Sequence, residues 1–345
     1  MLDQDRYWDC LDQAMQASSG GRLEEALAWL EEALRANPGG AEAHNSRGEL
    51  LWDHGRFEEA LQEFCTAVEA DPQLYAAYLN RVEILIEEFQ ELEEAVELAD
   101  ALLATPLDRG VEAEVYYLKA KAYFYMEDLD GALFLLRRAI QTHSDVPVYR
   151  SFEGQILFEF GRFEEARRGL EQALALEPEG AHTLYHLALV FEFLGDGDRA
   201  EELFAQAAEI APDQYPAPVR IQSDEFELAA EEALSSLPPD VRRYVAHCSV
   251  LMEELPGRDL VCSENVSPQI LGLFDGTPAT EPGASPTWGT SPKPGPDRIF
   301  LYKRNLEKVA QSRADLIRQI QITVRHEIGH YLGLDEDEID KLGLA

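Results

Sequence analysis

At residues 41–74 the chain reads AEAHNSRGELLWDHGRFEEALQEFCTAVEADPQL, and at residues 147–180 it reads PVYRSFEGQILFEFGRFEEARRGLEQALALEPEG. Both stretches are 34 residues long and contain GRFEEA, and their small residues fall at the same offsets. The matched positions are Gly48 with Gly154, Gly55 with Gly161, Ala60 with Ala166, Ala67 with Ala173 and Pro72 with Pro178. Self-similarity at a fixed period of this length predicts a stack of helical repeats, whereas an irregular helical bundle would not produce matched offsets.

Further copies extend the repeat over roughly residues 7–214, which gives about six units. The others occupy residues 7–40, 113–146 and 181–214, and one degenerate copy begins near Tyr75. In that copy Ala95 comes one residue late, so we expect an insertion in its inter-helix turn. The period and the placement of small residues resemble tetratricopeptide (TPR) repeats. The resemblance implies an all-α, right-handed solenoid whose concave groove binds a protein or peptide partner.

Composition limits the partners of this chain. It has 345 residues and a mass of 38.7 kDa, and its 66 acidic and 29 basic residues give a formal charge of −37. The negative electrostatic potential of such a chain repels phosphate backbones and anionic lipid surfaces. We therefore expect neither nucleic acid nor a membrane as partner. Residues 1–220 contain 45 acids and 17 bases, which favours ligands rich in Lys or Arg for the repeats.

The cysteines bear on the compartment. Four cysteines, Cys10, Cys65, Cys248 and Cys262, are scattered without a CxxC pair. In a chain of this length that pattern indicates free thiols in a reducing environment. The sequence therefore predicts a cytoplasmic protein.

A second domain is expected after the prolines of Tyr215-Pro-Ala-Pro218. We divide the chain into a repeat domain at 1–214, a hinge at 215–220 and a small α+β domain at 221–345. The predicted elements of that domain are a helix capped by Ser223, a short helix at 241–246, strands at 247–253, 259–264 and 298–302, and a helix from Leu306 onward. We expect the strand Arg298–Tyr302 to lie at the sheet edge and to pair with an extended peptide.

The last of these helices carries the sequence His326-Glu-Ile-Gly-His330. Two histidines four residues apart project from one face of a helix, so both imidazoles can bind one Zn²⁺ ion. Glu327, one residue after the first histidine, lies where it can act as the general base toward water. This spacing indicates metal-dependent hydrolysis, most naturally of peptide bonds; a structural helix with two surface histidines is the alternative.

The longer string, His326-Glu-Ile-Gly-His-Tyr-Leu-Gly-Leu-Asp-Glu336, resembles the minimal zincins, small metallopeptidase-like domains related to metzincins. The resemblance extends over about 221–345 and includes Leu271-Gly-Leu-Phe274 and Asp297–Arg304. It implies that Glu336, at the offset of the third metzincin ligand, completes the zinc site with His326 and His330. The competing interpretation is that the run Asp335–Glu338 is solvated or that a neighbouring acid binds the metal.

Two functions follow from these patterns. The first is a zinc-dependent metallopeptidase whose TPR repeats recruit or orient a protein substrate. The second is a non-catalytic TPR interaction scaffold that carries an inactive or peptide-binding zincin domain. The intact Glu327 favours the first, because a purely structural zinc site has no use for a general base.

Overall fold

The computed structural model describes residues 4–245, 248–264, 266–276 and 297–334. The chain folds into two compact units, residues 1–156 and residues 157–345. The first unit is helical. The second contains the remaining repeat helices and a small domain with a three-stranded sheet.

The repeat region consists of twelve helices in six consecutive pairs. They are α1 (Gln4–Ser19), α2 (Leu23–Ala36), α3 (Ala41–Trp52), α4 (Phe57–Ala70), α5 (Tyr75–Ile84), α6 (Leu92–Leu103), α7 (Arg109–Tyr125), α8 (Leu129–Thr142), α9 (Pro147–Glu159), α10 (Phe163–Leu176), α11 (Ala181–Leu194) and α12 (Gly197–Ile210). The prediction of about six helical repeats is confirmed.

The small residues identified in the sequence lie where paired helices approach each other. Ala26, Ala60, Ala132, Ala166 and Ala200 are completely buried near the start of the second helix of their repeats. A Cβ atom added to Gly48 of α3 would come within 2.5 Å of the Phe64 ring on α4. A larger side chain at these positions would therefore separate the two helices.

The turns inside the repeats share one backbone arrangement. A residue with positive φ follows the first helix in each of the six repeats: Gly21, Gly55, Gln90, Glu127, Gly161 and Gly195. In five of the six, the next amide donates to a carbonyl five residues back, as Arg56 does to Leu51 at 2.9 Å, and closes a Schellman motif. Glycine suits this position because it has no Cβ to clash in the left-handed region.

The third repeat accommodates the inserted residue as a π-helical turn. Residues Leu85–Phe89 form this turn at the end of α5, and the amide of Glu91 donates to Leu85, six residues back, at 3.0 Å. A π-helical turn contains one more residue than an α-helical turn, so it absorbs an inserted residue without shifting the residues that follow. The expected insertion before Ala95 is confirmed, and it leaves the second helix of the repeat intact.

After α12, the described residues of the second unit form five helices and three strands. They are α13 (Ser223–Ser236), α14 (Pro239–Tyr244), β1 (Ser249–Glu253), α15 (Arg258–Glu264), β2 (Gly272–Asp275), β3 (Arg298–Tyr302), α16 (Lys303–Val309) and α17 (Arg313–Tyr331). The strand order is β1-β3-β2, with β1 parallel and β2 antiparallel to β3. The core joins α13, the sheet and α17 through Phe226, Ala233, Ile299, Leu301, Leu316, Ile320, Val324 and Ile328. The predicted fold class, helical repeats followed by a small α+β domain, is confirmed.

Four local expectations were wrong. β3 is the central strand, paired on both sides, so it offers no free edge to a peptide. Residues Arg258–Glu264 form α15 rather than a strand. Ser223 is the first residue of α13 and not its cap, which is Gln222. The final helix is interrupted at residues 310–312, because Ala310 is extended and Ser312 caps a new helix.

Charged side chains connect the last repeat to the small domain inside the second unit. Lys308 of α16 bonds to Glu192 of α11, and both side chains are 5% exposed. Arg220 donates to the buried Glu307 and to Glu201, each at 2.6 Å. The amide of Val219 donates to the Glu307 carbonyl at 2.9 Å. The chain that links α12 to α13 is therefore held against α16.

Among the residues that the structure describes, no helix is long and apolar enough to cross a membrane.

Candidate metal centre

The helix that carries the histidines has a defined start and end. At its start, the hydroxyl of Ser312 accepts a hydrogen bond from the amide of Asp315 at 3.2 Å. At its end, Gly333 has φ 77°, and the amide of Leu334 donates to the carbonyl of Gly329 at 3.0 Å. This is a Schellman motif, in which Gly333 supplies the left-handed residue that ends the helix.

One face of α17 enters the core and the adjoining face carries the site. Leu316, Ile320, Val324 and Ile328 recur at spacings of four and are all completely buried. Such a stripe fixes the rotation of the helix about its axis. His326 and His330 lie beside the stripe and remain half-buried.

The two histidine side chains turn the same nitrogen toward each other. His326 Nε2 and His330 Nε2 are 3.0 Å apart, and the ring centroids are 4.7 Å apart at an interplanar angle of 84°. Two nitrogens bound to one tetrahedral zinc ion at about 2.0–2.1 Å are separated by about 3.3 Å. The Nε2 separation therefore fits one zinc ion with a small adjustment of the rings.

Glu327 packs against β2. Its side chain is buried, with the whole residue 7% exposed. A Cβ atom added to Gly272 would lie 3.0 Å from Glu327 Oε1 and 2.7 Å from Thr323 Cγ2. The strand can lie this close to the carboxylate because residue 272 has no side chain.

Two tyrosines near the site keep their protons. Burial, together with the charges of Glu253, Glu327 and Asp275, raises the pKa of Tyr302 well above its ordinary value. Burial and Asp297 also raise the pKa of Tyr331, whose ring packs edge-on against Phe274 at 5.4 Å. Both phenols are neutral hydrogen-bond donors at neutral pH.

The predicted third ligand is outside the part of the chain that the structure describes. Glu336 and its acidic neighbours 335–338 lie there, and so does His247. Within the described ranges, no group of three or more His, Cys, Asp or Glu side chains has the arrangement of a metal site. The structure thus brings together His326 and His330 from the predicted set and buries Glu327, while Glu336 stays a prediction.

Sequence reasoning did not identify the part that β2 plays. The strand has only four residues, Gly272–Asp275, and contacts Glu327 through a glycine. A run this short carries no periodicity that separates it from a loop. The available signal was the glycine itself, because an isolated glycine in an apolar run often marks a close approach of another group.

Comparisons with known families agree with both parts of this architecture. Residues 245–344 match the family described as "Zincin-like metallopeptidase". Residues 11–75, 152–215 and 113–142 match families described as "Tetratricopeptide repeat". The chain therefore joins a TPR array to a zincin-like metallopeptidase domain. A comparison with curated proteins gives no match.

Solved structures share the repeat fold. PilW, a widely conserved type IV pilus biogenesis factor, aligns with a TM-score of 0.53 and 19% identity, over 60% of this chain and 94% of its own. PilF of Pseudomonas aeruginosa aligns with a TM-score of 0.52 and 16% identity, over 65% and 98%. The APC/C hetero-tetramer Cut9–Hcn1 gives 0.54 and 15%, over 61% of this chain and 41% of that one. At these identities the likeness concerns the fold alone.

Proposed function

We propose that this protein is a zinc-dependent metallopeptidase whose TPR repeats bind a protein partner or substrate. The observation that carries the proposal is the 3.0 Å approach of His326 Nε2 and His330 Nε2, with the buried Glu327 next to the first histidine. Metal-assisted hydrolysis requires ligands that can bind one ion and a nearby general base. Two histidines on one helix face and the glutamate that follows the first of them can supply both. The match to zincin-like metallopeptidases supports the same chemistry.

His326 and His330 would hold the ion, and the other steps belong to this chain's own groups. When bound, zinc supplies a Lewis acid that polarises the peptide carbonyl and lowers the pKa of water. Glu327 accepts the proton of the attacking water and then donates it to the leaving amine. Because β2 covers the carboxylate, bulk water competes poorly for it.

We propose Glu336 as the third protein ligand. The ligand set would then be two histidines and one glutamate, which suits catalytic zinc and leaves a fourth position open. The left-handed Gly333 supports this assignment, because it lies three residues after His330, where the chain leaves α17 before residue 336.

The decisive experiment compares the wild type with Glu327→Gln on a peptide library after zinc content has been measured. Glutamine has the same size but cannot accept the proton, so we expect bound zinc to be retained and hydrolysis to fall about 10²–10⁴-fold. His326→Ala and His330→Ala should lose zinc as well. Cleavage by Glu327→Gln at the wild-type rate would refute the general-base role. An inactive wild type that still binds peptides would favour the scaffold function.

The ligand assignment predicts a difference among neighbouring acids. Glu336→Ala should weaken zinc affinity by at least about tenfold in a chelator competition assay, because it removes one of three protein ligands. Asp337→Ala and Glu338→Ala are matched controls, with the same loss of charge at adjacent positions. Small and equal effects in all three variants would eliminate Glu336.

The repeats and the thiols suggest the setting in which the enzyme works. With 45 acids against 17 bases in residues 1–220, we propose Lys- or Arg-rich protein segments as partners of the TPR region. The four cysteines carry free thiols in the structure. Free thiols persist in reducing compartments, so we propose a cytoplasmic location.

A further inference from the structure

The position of β2 determines how much room Glu327 has. Gly272 lies so close that a Cβ atom there would be 3.0 Å from both Cγ and Oε1 of Glu327. A shift of β2 toward α17 would displace the carboxylate, and a shift away would open it to water. Whatever holds the start of β2 in place therefore acts on the proposed general base.

The segment that leads into β2, residues 266–271, is held from inside the small domain by Asn305. Its Nδ2 atom donates to the carbonyls of Pro268 and Ile270, at 2.9 and 2.7 Å. Asn305 is 2% exposed and belongs to α16. At the end of this segment, the amide of Tyr302 donates to the carbonyl of Leu271 at 2.9 Å. We call residues 266–271 the approach segment.

The repeat array holds the approach segment from the other side. Glu159 is the last residue of α9, the first helix of the fifth repeat. One of its oxygens accepts from the hydroxyl of Ser267 at 2.9 Å, and the other accepts from Nε2 of Gln269 at 2.7 Å. The two carboxylate oxygens thus hold the two residues that flank the buried Pro268, one oxygen to each residue.

The contact is part of a wider one between the fifth repeat and the small domain. In the turn after Glu159, a Cβ atom added to Gly161 would lie 2.8 Å from Sγ of Cys262 on α15. Burial raises the pKa of Glu159, while the bonds from Gln269 and Ser267 lower it. The chain thus places an acidic side chain in a site that costs it solvation, and the two bonds offset part of that cost.

We propose that Glu159, a residue of the repeat array, is a positioning residue for Glu327 and acts through the approach segment and β2. This inference rests on the metallopeptidase function proposed above. It gives the repeats a part in the reaction itself, since a partner that moves the fifth repeat would move the strand that covers the general base.

The test uses the full-length, zinc-loaded protein and the peptide substrate found with the library. Glu159→Ala removes both bonds to the approach segment. Glu159→Gln retains an amide oxygen and can keep one of them. Glu179→Ala is the matched control, because Glu179 is an exposed acid in the same repeat. A Ser267→Ala, Gln269→Ala double variant removes the same bonds from the opposite end and leaves the repeat unchanged.

Three measurements separate positioning from mere support. Amide hydrogen exchange of residues 272–275 should become about tenfold faster in Glu159→Ala, as expected for the loss of charge-assisted hydrogen bonds. The kcat should fall about tenfold while KM changes little, because small displacements of catalytic groups act mainly on the chemical step. Zinc affinity should stay within about twofold of the wild type, since His326 and His330 are not displaced. The exchange rate and kcat of Glu159→Gln should lie between those of the wild type and Glu159→Ala. The double variant should give the same values as Glu159→Ala.

Two results would overturn the inference. One is unchanged exchange in residues 272–275 of a folded Glu159→Ala protein, and the other is an unchanged kcat alongside faster exchange. If the wild type hydrolyses nothing, the metallopeptidase function fails separately. The exchange of residues 272–275 and of 323–327 then decides whether Glu159 controls the cover of Glu327. Should Glu159→Ala fail to fold, the Ser267, Gln269 double variant answers the same question.

Discussion

Two pairs of histidines in this chain have the same spacing and different environments. His326 and His330 lie on α17 with their Nε2 atoms 3.0 Å apart at the half-buried edge of the core. His182 and His186 lie on α11 with ring centroids 4.3 Å apart, and His186 is buried. The residue after the first histidine is Glu327 in one pair and Thr183 in the other. The HxxxH spacing alone therefore does not define a hydrolytic site, and the proposal of hydrolysis depends on the glutamate that follows the first histidine.

The histidine pair on α11 predicts sensitivity to mild acid. Burial lowers the pKa of both histidines, and the neighbouring His182 contributes further at His186. Around them lie Tyr185 and Tyr215, and the Tyr215 hydroxyl is 2.9 Å from Nδ1 of His182. Because the folded pKa is below the unfolded one, the unfolded state binds more protons as pH falls below about 6.5. Stability is therefore present above that pH and decreases below it.

His186→Leu should remove the contribution of His186 to the pH dependence of stability and leave that of His182. The Nδ1 atom of His186 has no hydrogen-bond partner among the described residues, so leucine loses little there. Between about pH 6.5 and 5, the free energy of unfolding should fall with a slope that is smaller by up to about 1.4 kcal/mol per pH unit. Urea titrations at several pH values measure the slope, and the exposed His143→Gln is the control. Equal slopes in the wild type and His186→Leu would contradict this account.

At the level of single elements, the turns inside the repeats share a positive-φ residue, but this residue is not always glycine. Four of the six turns have glycine in the left-handed conformation, whereas Gln90 and Glu127 adopt φ of 55° and 63° without it. Side chains in this region cost about 1–2 kcal/mol through the contact of Cβ with the carbonyl oxygen. Gln90 recovers part of this cost, because its Nε2 atom donates to the carbonyl of Ile86 at 2.8 Å.

Glu127→Gly should therefore stabilise the first unit by about 0.5–1 kcal/mol, after the greater chain entropy of glycine is subtracted. Glu127→Gln removes the same charge and keeps the strained backbone, so it isolates the conformational effect. Gln90→Gly should gain less than Glu127→Gly, since it also loses a hydrogen bond. Chemical denaturation of the three variants measures these differences, and equal stability of Glu127→Gly and Glu127→Gln would show that charge rather than φ is responsible.

The sheet shows the limit of local patterns. Arg298–Tyr302 was correctly predicted as a strand, yet its place in the middle of the sheet depends on two partners that local sequence does not specify. β1 pairs with it in register Ser249↔Arg298, and β2 pairs with it in register Gly272↔Leu301. Alternation of apolar residues tells which side of a strand is buried but not which strands flank it. The order β1-β3-β2 depends on packing against α17, which no local window contains.

At the scale of the whole molecule, the charge of −37 is not spread only over solvated surfaces. Glu192 on α11 and Glu307 on α16 are buried, with side chains 5% and 1% exposed, and they are surrounded by Lys308, Arg220 and Arg304. Helical periodicity predicted both helices but could not predict this pairing, since Glu192 and Lys308 are 116 residues apart. Only the fold of the second unit brings the last repeat and the small domain into contact here.

The pair Glu192 and Lys308 predicts an outcome that depends on whether one or both charges are removed. Burial lowers the pKa of Lys308, while its contact with Glu192 raises it. Lys308→Met leaves Glu192 buried, with Arg220 at 3.6 Å as its remaining ion-pair partner among the described residues. Loss of one partner of a buried ion pair costs about 3–5 kcal/mol, and replacement of both by apolar residues is often neutral. We therefore expect Lys308→Met to destabilise the second unit strongly and a Glu192→Leu, Lys308→Met double variant to recover most of the loss.

The same pair tests whether the last repeat and the small domain unfold together. Amide hydrogen exchange of α11 and α16 in the full-length protein should accelerate in both helices of Lys308→Met, because each has lost the partner that the other supplies. The exposed pair Arg199 and Glu202 on α12 provides the control, since Arg199→Met should change the free energy of unfolding by less than about 1 kcal/mol. Acceleration in α16 alone, with α11 unchanged, would mean that the two helices open separately and that the buried charges do not join the repeat to the small domain.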